Sequence, residues 1–409
     1  MGKNGMTNGC NKSKLNLKPG TLRSTACHRC LSFHDRIRLM HGIFLMMVTI
    51  PQLGVCNNVF RFDKQIDAVV TAEMEKQQIV GAAIGIIQDS KIVYTRGYGW
   101  ANLKTKTPVT NETVFNWASN SKPLISIAAL QLVESGQLML DEPIASYCPQ
   151  LPPQLRRITS RQLLCHQSGI PHYSNGTVIP SKERSGSDGR YNTLDDINPR
   201  NSIGRFIRSP LLFESGHRTS YSSYAYVLLT AVVQAAGKDA IEKQLENRII
   251  DPLKLESFQL DLPANGQANW TLAYETRNGK ITEVPDYAHF WKHGAGGYKS
   301  NVKDFAKFAI ALSGSKLIHP ELTDKMWTRQ KTGDGNESVY GLGVLVSDHG
   351  ERLKVSHSGS QDETRTRMVI YPHRKHGVVV MCNTQGSNPA RITTAIYTAL
   401  RESILKRPD

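Results

Sequence analysis

Ser119 and Lys122, in the run Ser119-Asn120-Ser121-Lys122-Pro123, stand three residues apart. On a helix that begins near Ser119, that spacing puts both side chains on one face, where the amine reaches the hydroxyl. A serine so placed is activated as a nucleophile without a histidine. Pro123 fits the same start, because proline is tolerated in a first helical turn, where its missing N–H would have had no intrahelical partner. The unpaired N–H groups and the positive dipole end then face an oxyanion forming at Ser119. Ser-x-x-Lys recurs at Ser300/Lys303, Ser313/Lys316 and Ser403/Lys406, and a pair of this kind is equally suited to a helix cap or an exposed surface. Only the first follows a β-like run, residues 114–117, and opens a long amphipathic segment, residues 125–133.

Two more stretches can serve Ser119. Residues 219–226 form a polar and aromatic cluster opening a helix that reaches Ala236, with Ser222 and Ser223 as its caps. Tyr221 in this cluster becomes a general base if a nearby lysine depresses its pKa; otherwise it is a packed tyrosine with a hydrogen-bonded hydroxyl. The second stretch is His357-Ser358-Gly359-Ser360, placed at the end of a strand. Gly359 lets a substrate approach the backbone, and the N–H of Ser360 completes an oxyanion hole with that of Ser119. His357 is placed to put a positive charge over a substrate carboxylate or near Tyr221.

These residues need a scaffold, and a chain of 409 residues, 39% hydrophobic and 21% charged, has the composition of a soluble globular protein with a large core. We expect a basic extension, 1–56, and a catalytic body, 57–409. The net charge is +15, but residues 1–56 hold eight Lys or Arg against one acid, Asp35, so much of the excess lies outside the body. No Lys/Arg stripe interleaved with aromatics runs through the body, which argues against nucleic acid as a partner. Seven cysteines, four of them in the extension, are too sparse and widely spaced for a disulfide framework. Cys27-His28-Arg29-Cys30 lacks a second pair at zinc-module spacing, so no metal or cofactor is implied. Residues 39–50 are apolar and end at Pro51; the run falls short of the roughly 20 residues that span a bilayer and suits the apolar part of a signal peptide. Leu53-Gly54-Val55-Cys56 is faintly like a lipoprotein cleavage box. The expectation is export, periplasmic or secreted, with membrane attachment through this segment as the alternative.

Along the body, residues 60–78 carry helical spacing through Ile66, Val69, Val70 and Met74. Residues 82–87 and 91–95 read as a hairpin. The Ser119 helix stops near Gly136, and residues from about 140 to 290 hold short helices and polar loops, among them a surface loop over 181–201. A helix over 302–312, strands over 341–346, 352–355, 368–371 and 378–383, and a closing helix over 390–405 follow. Strands at both ends of the body with helices between them predict one sheet enclosing a mostly helical insertion, with the site at the seam.

The order and setting of these pieces resemble the serine β-lactamase and penicillin-binding-protein family, in particular its class C β-lactamase-related hydrolases and esterases. Ser119 and Lys122 match that family's Ser-x-x-Lys, Tyr221-Ser222-Ser223 matches Tyr-x-Asn in part, and His357-Ser358-Gly359 matches its His-x-Gly form of the third motif. Leu163-Leu164-Cys165-His166-Gln167-Ser168-Gly169, Asp251-Pro252-Leu253 and Gly296-Gly297 agree with secondary signatures. The resemblance runs from about Phe60 to Leu405 and implies an α+β fold, an antiparallel sheet flanked by helices. It also implies a serine hydrolase that forms an acyl-enzyme on an ester, amide or D-amino-acid peptide, with Ser119, Lys122, Tyr221 and His357 catalytic. Ser223, Ser358, Gly359 and Ser360 are then the residues that bind substrate. Ser223 replaces the asparagine whose amide helps hold an acyl-amide, which weakens a β-lactam assignment. Ser215-Gly216 stands where the family often has Pro-Gly, which touches only the turn. Residues 361–364 replace a common glycine and predict a narrower, more acidic rim. The rival reading is a binding or scaffolding protein on the same fold with its site retired. Motifs of other chemistries, Gly-x-Ser-x-Gly, His-Glu-x-x-His and the phosphate-binding Gly-x-x-x-x-Gly-Lys-Ser/Thr, are absent from the sequence.

Overall fold

The computed structural model describes residues 55–182, 194–263, 269–285 and 287–405, with side chains over 63–401. The apolar run 39–50, the cysteine pair at 27 and 30, most of the 53–56 box, residues 183–193 of the expected loop and the Ser403/Lys406 pair lie outside what is described. Among the described residues no helix is long and apolar enough to cross a membrane.

The expected hairpin forms from Gly81–Gln88 (β1) and Lys91–Asn102 (β2), turning on Asp89 and Ser90. Thr107–Pro108 (β3) borders β2, and Phe115–Asn116 (β4), Gln259–Leu260 (β5), Ala273–Arg277 (β6), Lys280–Val284 (β7) and Tyr298–Ser300 (β8) follow. The C-terminal strands are Leu345–Ser347 (β9), Lys354–Gln361 (β10), Thr364–Tyr371 (β11), His376–Cys382 (β12) and Thr384–Gln385 (β13). The main sheet runs β3-β2-β1-β12-β11-β10-β9 with antiparallel neighbours, so the two ends of the body meet at β1 and β12, from Ala82 opposite Cys382 to Ile87 opposite Gly377.

Alternation decides which helix covers which face. Ala82, Ile84 and Ile86 with Val378, Val380 and Cys382 pack on the terminal helices Val55–Gln77 (α1) and Pro389–Leu405, through Ile66, Val70, Ile392 and Ile396. The opposite face meets Ser121–Glu134 (α2) and Val302–Leu312. Gly85 permits the latter approach, since a Cβ there would lie 2.8 Å from Val379 Cγ2 and 3.4 Å from the Ala306 methyl. Between these ends stand Ser160–Leu164 (α3) and Ser223–Gly237 (α4), so that Val302–Leu312 is α5 and Pro389–Leu405 is α6.

Three expectations are corrected. α2 is buried on nearly every side rather than amphipathic, because it runs between the sheet and the inserted helices; a helix apolar all round belongs in the middle of a layered core. The strand expected over 341–346 reduces to β9, because Gly341-Leu342-Gly343 turns under α2: Gly343 has φ 91°, and a Cβ there would lie 1.8 Å from Ser126 Oγ. The insertion also supplies β5, β6 and β7 to two small sheets, β4-β8-β5 and β13-β6-β7, whose strands of two to five residues are too short or too polar to show a period.

Candidate active site

α2 begins at Ser121, two residues after the serine expected to open it, and Ser119 sits in a single 3-10 turn, Ala118–Asn120. That geometry eclipses side chains three apart, so Lys122 still meets Ser119, with Nζ 3.0 Å from Oγ. Ala118 enters the turn at φ 48°, a left-handed conformation costing a non-glycine residue roughly 1–2 kcal/mol. Its neighbours hold it there. Trp117 is buried against Phe258, Phe305 and Phe308; its indole N–H donates to Ser300 Oγ (2.7 Å) and its carbonyl accepts from Thr366 Oγ1 (2.8 Å). Ser300, one of the other Ser-x-x-Lys serines, is thereby an anchor for this turn.

Gly359 was expected to admit substrate. It is buried, and a Cβ would fall 2.4 Å from the Trp117 carbonyl oxygen and 2.2 Å from Thr366 Oγ1. The close approach it permits is therefore that of the Ser119 turn against β10. Asn120, fully buried, joins the same two elements: oriented with Nδ2 towards the His357 carbonyl (3.2 Å) and Oδ1 towards the Gly359 N–H (3.3 Å), it ties the Ser119 turn to β10. The motif His357–Ser360 accordingly lies within β10 and not at a strand end.

Lys122 is fully buried, and its Nζ is ringed by three neutral oxygens, Ser119 Oγ, Ser223 Oγ (3.1 Å) and the Ala295 carbonyl (2.7 Å). Burial, and then the charge of Lys292, hold its pKa well below the usual lysine value. A neutral amine has two N–H donors and one lone pair; the Ala295 carbonyl and Ser223 Oγ take the donors, leaving the lone pair for the Ser119 hydroxyl. From the other side the Tyr221 hydroxyl donates to Ser119 Oγ at 2.8 Å. Burial raises the Tyr221 pKa, so the lysine-depressed phenolate expected from the sequence is corrected to a neutral phenol.

Tyr221 precedes α4, where Ser222 alone caps, its Oγ accepting from the Ala225 N–H; Ser223 is the first helical residue, its hydroxyl turned to Lys122. His166 clamps this approach: its carbonyl accepts from the Ser220 N–H (2.8 Å), its Nδ1 from the Ser222 N–H (3.2 Å), and its ring lies 4.4 Å from that of Tyr221. His172 accepts from the Ser223 N–H through Nδ1 (3.2 Å). The sequence offered His166 only as part of a signature and gave no signal for Asn120 or His172.

His357 is buried, and burial above all lowers its pKa to about 3. Its Nδ1 lies 2.8 Å from the Ser358 carbonyl, which can only accept, so Nδ1 carries the proton and Nε2 is an acceptor. The positive charge expected there is corrected to a neutral imidazole. Ser358 and Ser360 are exposed on β10, and Ser358 Oγ accepts from Arg367 Nη1 (2.6 Å).

Ser119, Tyr221, Ser223, His357, Ser358 and Ser360 border one cavity of about 340 Å³, with Lys122 behind it. His172, Tyr173, Lys292 and Tyr340 are also on its walls. Of the residues expected to make an acidic rim, no carboxylate lies on the cavity wall: Gln361 donates to the Gly296 carbonyl (2.8 Å), Asp362 is exposed off the wall, Glu363 turns away to His289 (2.9 Å), and Lys292 supplies a cation. Among the described residues no group of His, Cys, Asp and Glu is placed to hold a metal, and Cys148, Cys165 and Cys382 are free and buried.

The chain is similar to Protein flp of Staphylococcus aureus (strain N315), 24% identical over 351 residues that cover 82% of this chain and 66% of that protein, so it spans just under two thirds of that relative's length. Esterase EstB of Burkholderia gladioli is 30% identical over 195 residues, 46% of this chain and 49% of EstB. The structure of the octameric penicillin-binding protein homologue from Pyrococcus abyssi superposes with a TM-score of 0.69 at 25% identity, covering 83% of this chain and 77% of that one. The Beta-lactamase family model matches residues 66–402, and the chain belongs to that family.

Proposed function

We propose that this chain is a serine hydrolase of the class C β-lactamase-related type, acting through an acyl-enzyme on a small ester, amide or D-amino-acid peptide. The observation that carries the reading is Ser119 Oγ held between Lys122 Nζ (3.0 Å) and the Tyr221 hydroxyl (2.8 Å). The neutral Lys122 takes the Ser119 proton as Oγ bonds to the substrate carbonyl carbon, and the oxygen becomes an oxyanion received by the N–H groups of Ser119 and Ser360. As the tetrahedral adduct collapses, the bond to the leaving alcohol or amine breaks. That group takes a proton from Tyr221, which recovers one from Lys122. Water then attacks the acyl carbon, giving up its proton to Lys122; as the bond from that carbon to Ser119 Oγ breaks, Oγ takes the proton from Lys122, and the acid leaves with the neutral amine restored. His357, neutral, orients substrate through its Nε2 acceptor.

The class of substrate follows from the wall opposite Ser119. Ser223 presents a hydroxyl already engaged by Lys122, so no side-chain amide reaches across to an acyl-amide, and this favours esters over β-lactams. EstB is named an esterase; we carry that class to this chain. We propose also that the basic extension, 1–56, directs export.

Intact-mass measurement after exposure to a fluorophosphonate tests the reading. The expected result is one covalent adduct on the wild-type chain, none on Ser119→Ala, and turnover of p-nitrophenyl esters by the former alone. No adduct on a folded wild-type chain sinks it and favours the retired, binding reading.

A further inference from the structure

Lys292 has no part in the chemistry above, yet it is a lysine on the cavity wall for which the fold supplies no partner among the described residues. It belongs to the 3-10 segment Phe290–Ala295, whose backbone passes through an unusual conformation at the next residue, His293 (φ 41°, ψ −123°). The side chain is only 9% exposed, and Nζ hangs over two rings, 5.5 Å from the centre of Tyr173 and 5.6 Å from that of Trp291. Among the described residues its ammonium has neither an ion-pair partner nor a hydrogen-bond acceptor. Of the carboxylates that act on it from a distance, Glu363 is paired with His289 and Asp261 with Lys299, while Asp362 meets the Gln385 amide (3.4 Å). The fold thus buries the stem of a cation and gives its nitrogen no protein partner among the described residues, so the charge is left to whatever fills the cavity in front of it. The end of this side chain opens into the same cavity as Ser119.

The remaining walls of the cavity sharpen the point. His357 and His172, the other ionisable nitrogens on its lining, have pKa values lowered by burial to about 3 and about 4 and carry no charge at neutral pH. Burial, offset in part by Glu363, Asp362 and Asp261 and reinforced by Arg205, lowers Lys292 only to about 8, so it is largely an ammonium at pH 7. The two rings, their centres 6.3 Å apart, stand on one flank of the cation, attract it weakly and leave its other side open. A carboxylate arriving there would pair in a water-poor site without displacing any protein partner.

We propose that Lys292 is an anion subsite, and that the substrate is an ester or amide bearing a free carboxylate, which this ammonium receives across the cavity from Ser119. The inference rests on the serine-hydrolase reading for its substrate but not for its binding site, and the two fail separately.

The test compares p-nitrophenyl hemiglutarate with its neutral methyl ester. The wild-type enzyme is expected to favour the free acid in kcat/KM, and Lys292→Gln to lower that acid-to-ester ratio about 10- to 100-fold, mainly through KM, the effect of losing one charged hydrogen bond. Lys292→Met repeats the measurement should the glutamine variant melt early. A ratio equal in the wild type and in a folded variant overturns the proposal while leaving the hydrolase reading intact. If neither ester turns over and Ser119 takes no fluorophosphonate, the hydrolase reading falls, and calorimetry with glutarate decides the subsite alone. Binding that Lys292→Gln abolishes supports it; binding that is absent from the wild type, or unchanged in the variant, overturns it.

Discussion

Lys122 and Lys292 are both buried lysines at one cavity, the first behind its wall and the second on it, and they differ in what stands in front of the nitrogen. Lys122 has three neutral oxygens within 3.1 Å, arranged so that a deprotonated amine is fully satisfied and its lone pair meets a hydroxyl. Lys292 has no such acceptor, and carboxylates on the neighbouring β10–β11 turn and beyond favour its charge from a distance. The same burial therefore yields a base in one place and a retained cation in the other. Depth alone does not set the chemistry of a lysine; the disposition of acceptors around it does.

The largest test applies one substitution at both places. Lys122→Met removes the base and is expected to lower kcat on the free-acid and methyl-ester substrates alike by about 10²–10⁴, the usual worth of a general base. Lys292→Met changes the ratio between those substrates instead. Steady-state kinetics on the pair would break the comparison if Lys122→Met merely shifted the ratio.

Tyr221→Phe comes next, with an expected loss of about 10² in kcat. Its pH profile matters more than its size. Lys122 must be neutral to act, and its pKa is lowered, so kcat/KM on the methyl ester should rise with pH through that lowered value. Tyr221 is raised above its ordinary value by burial, so no alkaline fall is expected up to about pH 10. The acid limb should survive in Tyr221→Phe; its disappearance would make the phenolate the base. On the same axis, the preference for the free acid should decline as pH passes about 8, where Lys292 loses its proton.

The half of this comparison that involves Lys122 is visible in the sequence, because a serine and a lysine three apart meet through local geometry whether the turn is α or 3-10. Tyr221 and His357 are likewise found through short motifs, and the main sheet through alternation at the two ends of the body. Lys292 is not visible. It lies in a short irregular segment with no period, and its meaning comes from Tyr173, Trp291 and Ser119, which the fold brings to it from elsewhere in the chain. The charge of His357 was misread for a related reason, since nothing in His357-Ser358-Gly359 states that the ring is buried. Gly359 was assigned to substrate because its true neighbours, Trp117 and Ala118, are more than 240 residues away in sequence.

The smallest expected effect concerns the ring of acceptors itself. Ser223→Ala deletes one of the three oxygens around Lys122 and leaves the other two in place. A hydrogen bond from an ammonium is worth about 1.5–3 kcal/mol and one from a neutral amine about 0.5–1.5 kcal/mol, so the deletion penalises the charged form more. The Lys122 pKa should then fall further, and the acid limb of kcat/KM should move to lower pH. The amine is also held less firmly against Ser119, so the plateau should drop about threefold to tenfold. A limb that moved to higher pH would mean that Ser223 stabilises the neutral amine, and that the contrast with Lys292 arises from burial alone.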